Sequence, residues 1–66
     1  MNITLNGKPH THRGDGTLAD LLREVGATRD RVAVLVDGNV ITATQYAILR
    51  LRAGMVIEII IMAGGG

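Results

Sequence analysis

The residues best suited to chemistry are the glycines that end the sequence, Gly64 to Gly66, which follow an apolar segment directly. Because glycine has no side chain, such a tail can enter a narrow channel and present a bare carboxylate. A carboxylate is a poor electrophile, but an ATP-using partner can convert it to an acyl-adenylate, which a sulfur nucleophile then turns into a thiocarboxylate. We expect Gly66 to be the reacting residue on a flexible tail of Gly64 and Gly65; an inert, frayed end is the alternative.

The rest of the sequence contains few catalytic groups. Cys and Ser are absent, which excludes thiolate metal sites, disulfides within the chain and Ser-based or Cys-based nucleophiles. His10 and His12 have a spacing that can ligate a metal, but no third ligand is evident, so we expect solvated histidines on an edge strand and no metal. The net charge of +1 and a single aromatic residue, Tyr46, argue against nucleic-acid binding. The chain is therefore expected to be a carrier or a binding protein, not an enzyme.

The chain of 66 residues can form one small domain around one modest core. Its apolar run 59–63, which no other run exceeds, is far shorter than the ~20 residues that span a bilayer. No signal peptide opens the sequence, so we expect a cytoplasmic protein without membrane contact.

Glycines separate the apolar segments, and Asn6-Gly7 and Asp37-Gly38 are typical of two-residue hairpin turns. Pro9 cannot donate to a ladder and therefore predicts an edge strand. The elements predicted in chain order are a strand over 2–6, an edge strand over 8–13, a helix over 17–25, a strand over 31–36 covered on both faces, a strand at 40–41, one ambiguous helical turn over 42–46, at best a short strand over 48–51, and a last strand over 56–62.

The helix has a clear beginning, an apolar stripe and an end. Thr17 can cap its first turn, and Gly26 is a typical terminator. The stripe, which must be buried against one face of the sheet, consists of Leu18, Leu21, Leu22 and Val25. We expect Tyr46 to be a partly buried plug.

The last strand predicts a docking surface beside the tail. Alternation places Ile57, Ile59 and Ile61 against the helix. The residues expected to point outward for partner docking are Val56, Ile60 and Met62, with Leu35 on a neighbouring segment. Ordinary core packing is the alternative, if the register is reversed. Arg50 and Arg52 alternate with leucines and should project to solvent, either to meet an acidic partner or simply as a charged rim.

Seven segments carry a resemblance to a known family: Leu5-Asn6-Gly7, GTLADLL at 16–22, VAV at 32–34, VDGNVI at 36–41, LRLR at 49–52, IEI at 57–59, and the final glycines. In this order they resemble, over the whole chain, the ThiS/MoaD family of ubiquitin-like proteins, and in particular ThiS, the bacterial sulfur carriers of thiamine biosynthesis.

This resemblance implies an α+β, ubiquitin-like β-grasp fold, in which a mixed sheet of four to five strands packs on one helix. The first and last strands would be parallel at its centre, with residues 1–63 as the domain and 64–66 as the flexible tail. It also implies that an E1-like enzyme (ThiF type) adenylates Gly66 with ATP and magnesium, that a sulfur donor protein supplies the sulfur, and that a thiazole synthase (ThiG type) receives it. No cofactor would be bound by the carrier itself.

Two alternatives stay open. A MoaD-type carrier for molybdopterin, or a small ubiquitin-like modifier, would share the fold and the two final glycines and differ in the acceptor. A protein-interaction module with an inert tail would dock through its outer sheet face. Deleting Gly65 and Gly66 separates this module from a carrier, because only the carrier would lose its function.

Overall fold

The computed structural model describes residues 1–13, 16–27 and 31–62. Its elements are β1 (Asn2–Leu5), β2 (Lys8–Thr11), α1 (Leu18–Glu24), β3 (Val32–Val36), β4 (Asn39–Ile41), a short 3-10 helix (Ala43–Gln45) and β5 (Val56–Ile61). The order predicted for these elements is confirmed, and the ambiguous segment after β4 forms the 3-10 turn.

All five strands form one mixed sheet in the order β2-β1-β5-β3-β4. β1 and β5 run parallel, with Thr4 opposite Val56 and Leu5 opposite Ile57. The other neighbours are antiparallel, and β3 lies beside β5 from Val32 to Val36. The sheet therefore has its first and last strands parallel at the centre, as the β-grasp prediction requires, and β2 is the expected edge strand.

The two hairpins turn where the dipeptides predict. Asn6 has φ 51° and Gly7 φ 80°, and Asp37 has φ 49° and Gly38 φ 85°. Positive φ at both central residues defines the type I′ turn, which matches the twist of the strands that it joins. Asn and Asp tolerate this left-handed conformation better than most side chains, which is why each precedes a glycine here.

The helix packs its apolar stripe on one face of the sheet. The Thr17 hydroxyl caps it by accepting a hydrogen bond from the Asp20 amide at 3.2 Å. Leu18, Leu21 and Leu22 are buried, and the core that they enter is completed by Ile3, Ala27, Val34, Val36, Leu51 and Ile57. Within the described residues, no helix is long and apolar enough to cross a membrane.

Three sequence-based expectations were wrong in detail. Val25 does not belong to the buried stripe, because α1 ends at Glu24 and Val25 is the half-exposed cap residue. β3 is not covered on both faces, since Ala33 and Leu35 on its outer face are only half-buried. Residues 48–51 form no strand, only an isolated bridge between Thr17 and Arg50.

Candidate functional site

The candidate site begins at β5, the central strand that leads into the glycine tail. Ile57 is fully buried, and β5 pairs with β1 on one side and β3 on the other. Such a strand is a rigid base for the residues that follow it in the sequence. The tail residues Gly64 to Gly66 lie outside the described residues, so their assignment as tail and reacting site stays a prediction.

The side chains of the two hairpin turns anchor the backbone of β5. Asp37 accepts a hydrogen bond from the Val56 amide through Oδ1 at 2.9 Å, and its own amide donates to the Val56 carbonyl at 2.8 Å. Asn6 accepts from the Ile59 amide through Oδ1 at 2.8 Å. The sequence indicated both residues only as turn formers. Their second role depends on a distant strand, because Asp37 and Val56 are 19 positions apart and Asn6 and Ile59 are 53 positions apart.

The outer face of the sheet next to this base is apolar, as expected. Val56, Ile60 and Met62 are 43%, 49% and 50% exposed, and half-buried Leu35 lies opposite Glu58 in the register. Val40, which the sequence did not single out, lies opposite Leu35 and is 70% exposed. We call these five residues the outer apolar face. Its use in docking stays a prediction.

Ile61 differs from the sequence-based expectation. Alternation puts it on the helix side with Ile57 and Ile59, yet it is 61% exposed. The reason is length. The seven residues of α1 cover about 10 Å at 1.5 Å per residue, whereas the six residues of β5 extend about 20 Å at 3.3 Å per residue. The end of β5 therefore lies beyond the part of the sheet that α1 covers.

Arg50 and Arg52 are exposed, while Leu49 is half-buried and Leu51 is buried. The alternation predicted from the sequence is thus present without a strand, because the Leu51 amide donates to the Gly16 carbonyl and holds this segment beside the start of α1. Whether the two guanidinium groups meet an acidic partner stays a prediction.

The two histidines are not the solvated pair that we expected. His12 is only 4% exposed. Its Nδ1 lies 3.1 Å from Glu24 Oε1, and His10 Nε2 lies 2.8 Å from the same oxygen. His12 is buried because its contact with Glu24, a residue of α1, holds the chain at the end of β2 against the helix.

Glu24 is the centre of this contact between hairpin and helix. Hydrogen bonds from His10, the Arg13 backbone amide and His12 lower the pKa of Glu24 from 4.5 to about 2. His12 Nε2 lies 3.4 Å from Asp20 Oδ2 without forming a hydrogen bond to it. The described residues contain no group of three or more potential ligands that could hold a metal ion. The hydrogen bonds to Glu24 fasten β2 and the residues after it to α1.

A shallow groove opens on the helix side, away from the outer apolar face. It has a volume of about 440 Å³ and is lined by Leu22, Ala27, Val32 and half-buried Tyr46, with Arg23 among its polar lining. Tyr46 packs against the core, as predicted.

The model of the ThiS family matches residues 3–66 of the chain. The chain belongs to the ThiS family. Two solved structures of Geobacter metallireducens proteins agree with it. A crystal structure of the thiamine biosynthesis protein ThiS is 29% identical, covers all of both chains and has a TM-score of 0.82. A solution structure of a thiamine biosynthesis protein is 30% identical, covers all of this chain and 88% of the other, and has a TM-score of 0.78.

A curated relative is longer. The thiazole synthase of Magnetococcus marinus is 35% identical over 66 residues, which are all of this chain and 20% of that protein. The chain thus spans about a fifth of the length of this relative. In that protein, a segment similar to the whole ThiS-family domain is part of a larger polypeptide.

Proposed function

We propose that the chain is a sulfur carrier of thiamine biosynthesis and that the carboxylate of Gly66 carries the sulfur. The observation that supports this most is the match to the ThiS family from residue 3 to residue 66, because it extends through the final glycines. In this role the chain is a co-substrate of partner enzymes and not itself an enzyme. The proposal requires that Gly66 is the last residue of the mature protein.

The first step would be activation of the carboxylate. An oxygen of the Gly66 carboxylate attacks the α-phosphorus of ATP in the site of an E1-like enzyme, and magnesium pyrophosphate leaves. The product is an acyl-adenylate, in which AMP is a good leaving group. The chain itself needs no bound cofactor for this step, because ATP and magnesium belong to the partner.

The second step would replace AMP by sulfur. A hydrosulfide-equivalent nucleophile from a sulfur donor protein adds to the acyl carbon, and the C–O bond to AMP breaks. The acyl-adenylate and HS⁻ thereby give the thiocarboxylate, AMP and one proton, with no change in the oxidation state of the acyl carbon. The thiocarboxylate can then deliver its sulfur to an acceptor enzyme.

The geometry of β5 suits this chemistry. The five residues after Ile61 can span at most about 18 Å, at 3.3–3.6 Å per residue. A partner site buried by that depth can be reached while the folded domain stays outside. The absence of side chains on the final glycines would let the tail enter a channel that a Cβ atom obstructs.

A thiazole synthase is the acceptor that we propose. The similarity to the Magnetococcus marinus thiazole synthase supports this choice, since joining a carrier to its acceptor in one polypeptide raises their effective concentration. The outer apolar face, with Arg50 and Arg52 nearby in sequence, is the surface proposed to dock the E1-like enzyme and the synthase.

Adding one alanine after Gly66 tests the use of the terminal carboxylate. We expect the extended chain to unfold at the same temperature as the original and to produce no AMP with ATP, magnesium and the E1-like enzyme. A second variant, Gly65→Val, keeps the chain length. It should also fold and produce no AMP, because its side chain would obstruct the channel. Normal AMP production by the extended chain would contradict the proposal.

A further inference from the structure

The parallel ladder between β1 and β5 stops halfway along β5. β1 pairs only with the first residues of β5, at Val56 and Ile57. The opposite side of β5 remains paired with β3 up to Ile61. The reason lies at Asn6, where the chain enters the hairpin turn with φ 51° and leaves the direction of the strand.

Asn6 ends this ladder with its side chain. Its amide donates to the Ile57 carbonyl at 2.9 Å, as a strand residue would. The next acceptor in a parallel ladder would be its carbonyl, but the Ile59 amide instead donates to Asn6 Oδ1 at 2.8 Å. The side chain thus takes the position of the last backbone partner.

Beyond that bond, β5 has an open edge. The odd-numbered residues of β5 direct their backbone groups towards β1, as the bonds at Ile57 and Ile59 show. The carbonyl of Ile59 and both backbone groups of Ile61 therefore follow on the same side. Among residues 1–13, 16–27 and 31–62, no strand pairs with them there. Met62, by contrast, donates to the Arg31 carbonyl on the β3 side at 2.8 Å.

The side chains at this open edge are apolar on both faces of the sheet. Ile60 and Met62 on the outer face are 49% and 50% exposed, and Ile61 on the helix side is 61% exposed. An exposed strand with unpaired backbone groups and apolar side chains is a template for another strand. It is also an aggregation hazard unless something covers it.

We propose that an extended segment of the E1-like partner enzyme pairs with the open edge of β5 at Ile59 and Ile61. This inference rests on the proposed function, because the same strand leads directly into the reacting tail. The partner segment would occupy the line of β1 beyond Asn6, accept the Ile61 amide hydrogen and donate to the open carbonyls. Its own apolar side chains would alternate to cover Ile60 and Ile61.

The occupant follows from the chemistry of the edge and its place in the chain. Unpaired amide and carbonyl groups find hydrogen-bond partners most readily in another backbone. An apolar pocket alone offers no such partners. Pairing at Ile61 would fix the direction of the chain five residues before Gly66. It would aim the residues that follow at the partner site, which lowers the entropic cost of the activation complex.

Hydrogen exchange at one amide tests this pairing directly. In the free protein, the Ile61 amide should exchange rapidly and the Met62 amide slowly, because of these two amides only that of Met62 has a partner in the described part of the chain. With saturating E1-like enzyme and no ATP, we expect Ile61 exchange to slow at least tenfold and Met62 exchange to change little. Binding without protection of the Ile61 amide would overturn the proposal.

A proline variant tests the same bond by removal. Ile61→Pro deletes the open donor without removing a bond to β3, since proline is tolerated where the amide of an edge faces outward. Its control, Ile61→Ala, loses the side chain and keeps the donor. In activation by the E1-like enzyme, we expect the KM for the carrier to rise at least tenfold for Ile61→Pro and less than threefold for Ile61→Ala. The kcat of the enzyme should be retained at saturating carrier.

Other outcomes separate this inference from the proposed function. Equal KM values for the two variants, with both unfolding at similar temperatures, would refute strand pairing and leave the carrier role intact. If Ile61→Pro unfolds, amide exchange in the unaltered protein decides. Protection of Ile61 that appears without partner and increases with protein concentration, together with a dimer in sedimentation, would make a second copy the occupant and overturn the proposal. No activation of the unaltered chain would refute the function itself.

Discussion

Asn6 joins the first hairpin to the central strand, and its replacement separates two contributions to stability. Its φ of 51° lies in the left-handed region, and its Oδ1 accepts the Ile59 amide at 2.8 Å. Asn6→Ala removes the acceptor and puts a Cβ with no compensating polar group in the left-handed conformation. Asn6→Gly removes the acceptor but fits that conformation. Asn6→Asp keeps both features.

The expected losses follow from these two contributions. A hydrogen bond of this kind stabilises a folded protein by about 1 kcal/mol. Left-handed backbone costs alanine roughly 1–2 kcal/mol, a cost that glycine avoids and that Asn and Asp tolerate better. We therefore expect Asn6→Ala to lower the free energy of unfolding by about 2–3 kcal/mol. Asn6→Gly should lose about 1 kcal/mol plus a few tenths for its greater freedom when unfolded, and Asn6→Asp less than about 0.5 kcal/mol.

Urea unfolding followed by far-ultraviolet circular dichroism measures these differences, since the chain contains no tryptophan. In a domain of this size, about 1 kcal/mol corresponds to roughly 4–8 °C in Tm, so thermal melts provide an independent check. The order of stability should be Asp above Gly above Ala at this position. Equal stability of the Gly and Ala variants would refute the cost of left-handed alanine at position 6. A Gly variant as stable as the original protein would refute the contribution of the bond to Ile59.

Three further predictions concern the core, the helix clasp and the outer apolar face. Leu21→Ala should lower the free energy of unfolding by about 2–5 kcal/mol, because Leu21 is fully buried, while Ile48→Ala, at a 76% exposed position, serves as a control and should change it little. Because the folded-state pKa of Glu24 is lowered from 4.5 to about 2, the stability that its carboxylate contributes should be complete above pH 4.5 and lost as the pH falls towards 2. The Tm of Glu24→Gln should therefore fall less than that of the original protein over this pH range. Equal decreases in Tm for the two proteins would contradict the prediction. Ile60→Asp should retain the Tm within a few degrees and weaken binding to the E1-like enzyme at least tenfold in titration calorimetry, whereas Ile48→Asp should bind normally; equal binding by both variants would show that the outer apolar face does not dock this partner.

Local sequence signals were sufficient for most of the fold. Asn6-Gly7 and Asp37-Gly38 gave the hairpins because left-handed turns select those residues. The stripe Leu18, Leu21 and Leu22 gave the helix face. The parallel pairing of β1 with β5 came only from the family resemblance, since no residue pattern within either strand specifies which distant strand it joins.

The features that the sequence did not predict all depend on distances between elements. The length of α1 relative to β5 leaves Ile61 exposed, and alternation alone cannot show where a helix stops covering a sheet. His12 is buried because Glu24 of α1 reaches the end of β2, a contact that joins residues 12 positions apart. A carboxylate on the polar side of a helix near two edge-strand histidines is the signal that could have indicated it.

The open edge of β5 is a further feature of this kind. It arises because β1 turns away at Asn6 while β3 continues beside β5. Strand lengths in the sequence indicated a longer last strand, but the register that leaves the β1 side of its end unpaired among the described residues appears only in the sheet.

The carrier role of Gly66 is tested most directly by the intact mass of the protein after reaction with ATP, magnesium, the E1-like enzyme and a sulfur source. We predict a gain equal to the replacement of one oxygen by one sulfur, located in the C-terminal peptide and absent when ATP is omitted. An unchanged mass, with the same enzyme active on an established carrier, would contradict the proposed function and favour an interaction module with an inert tail.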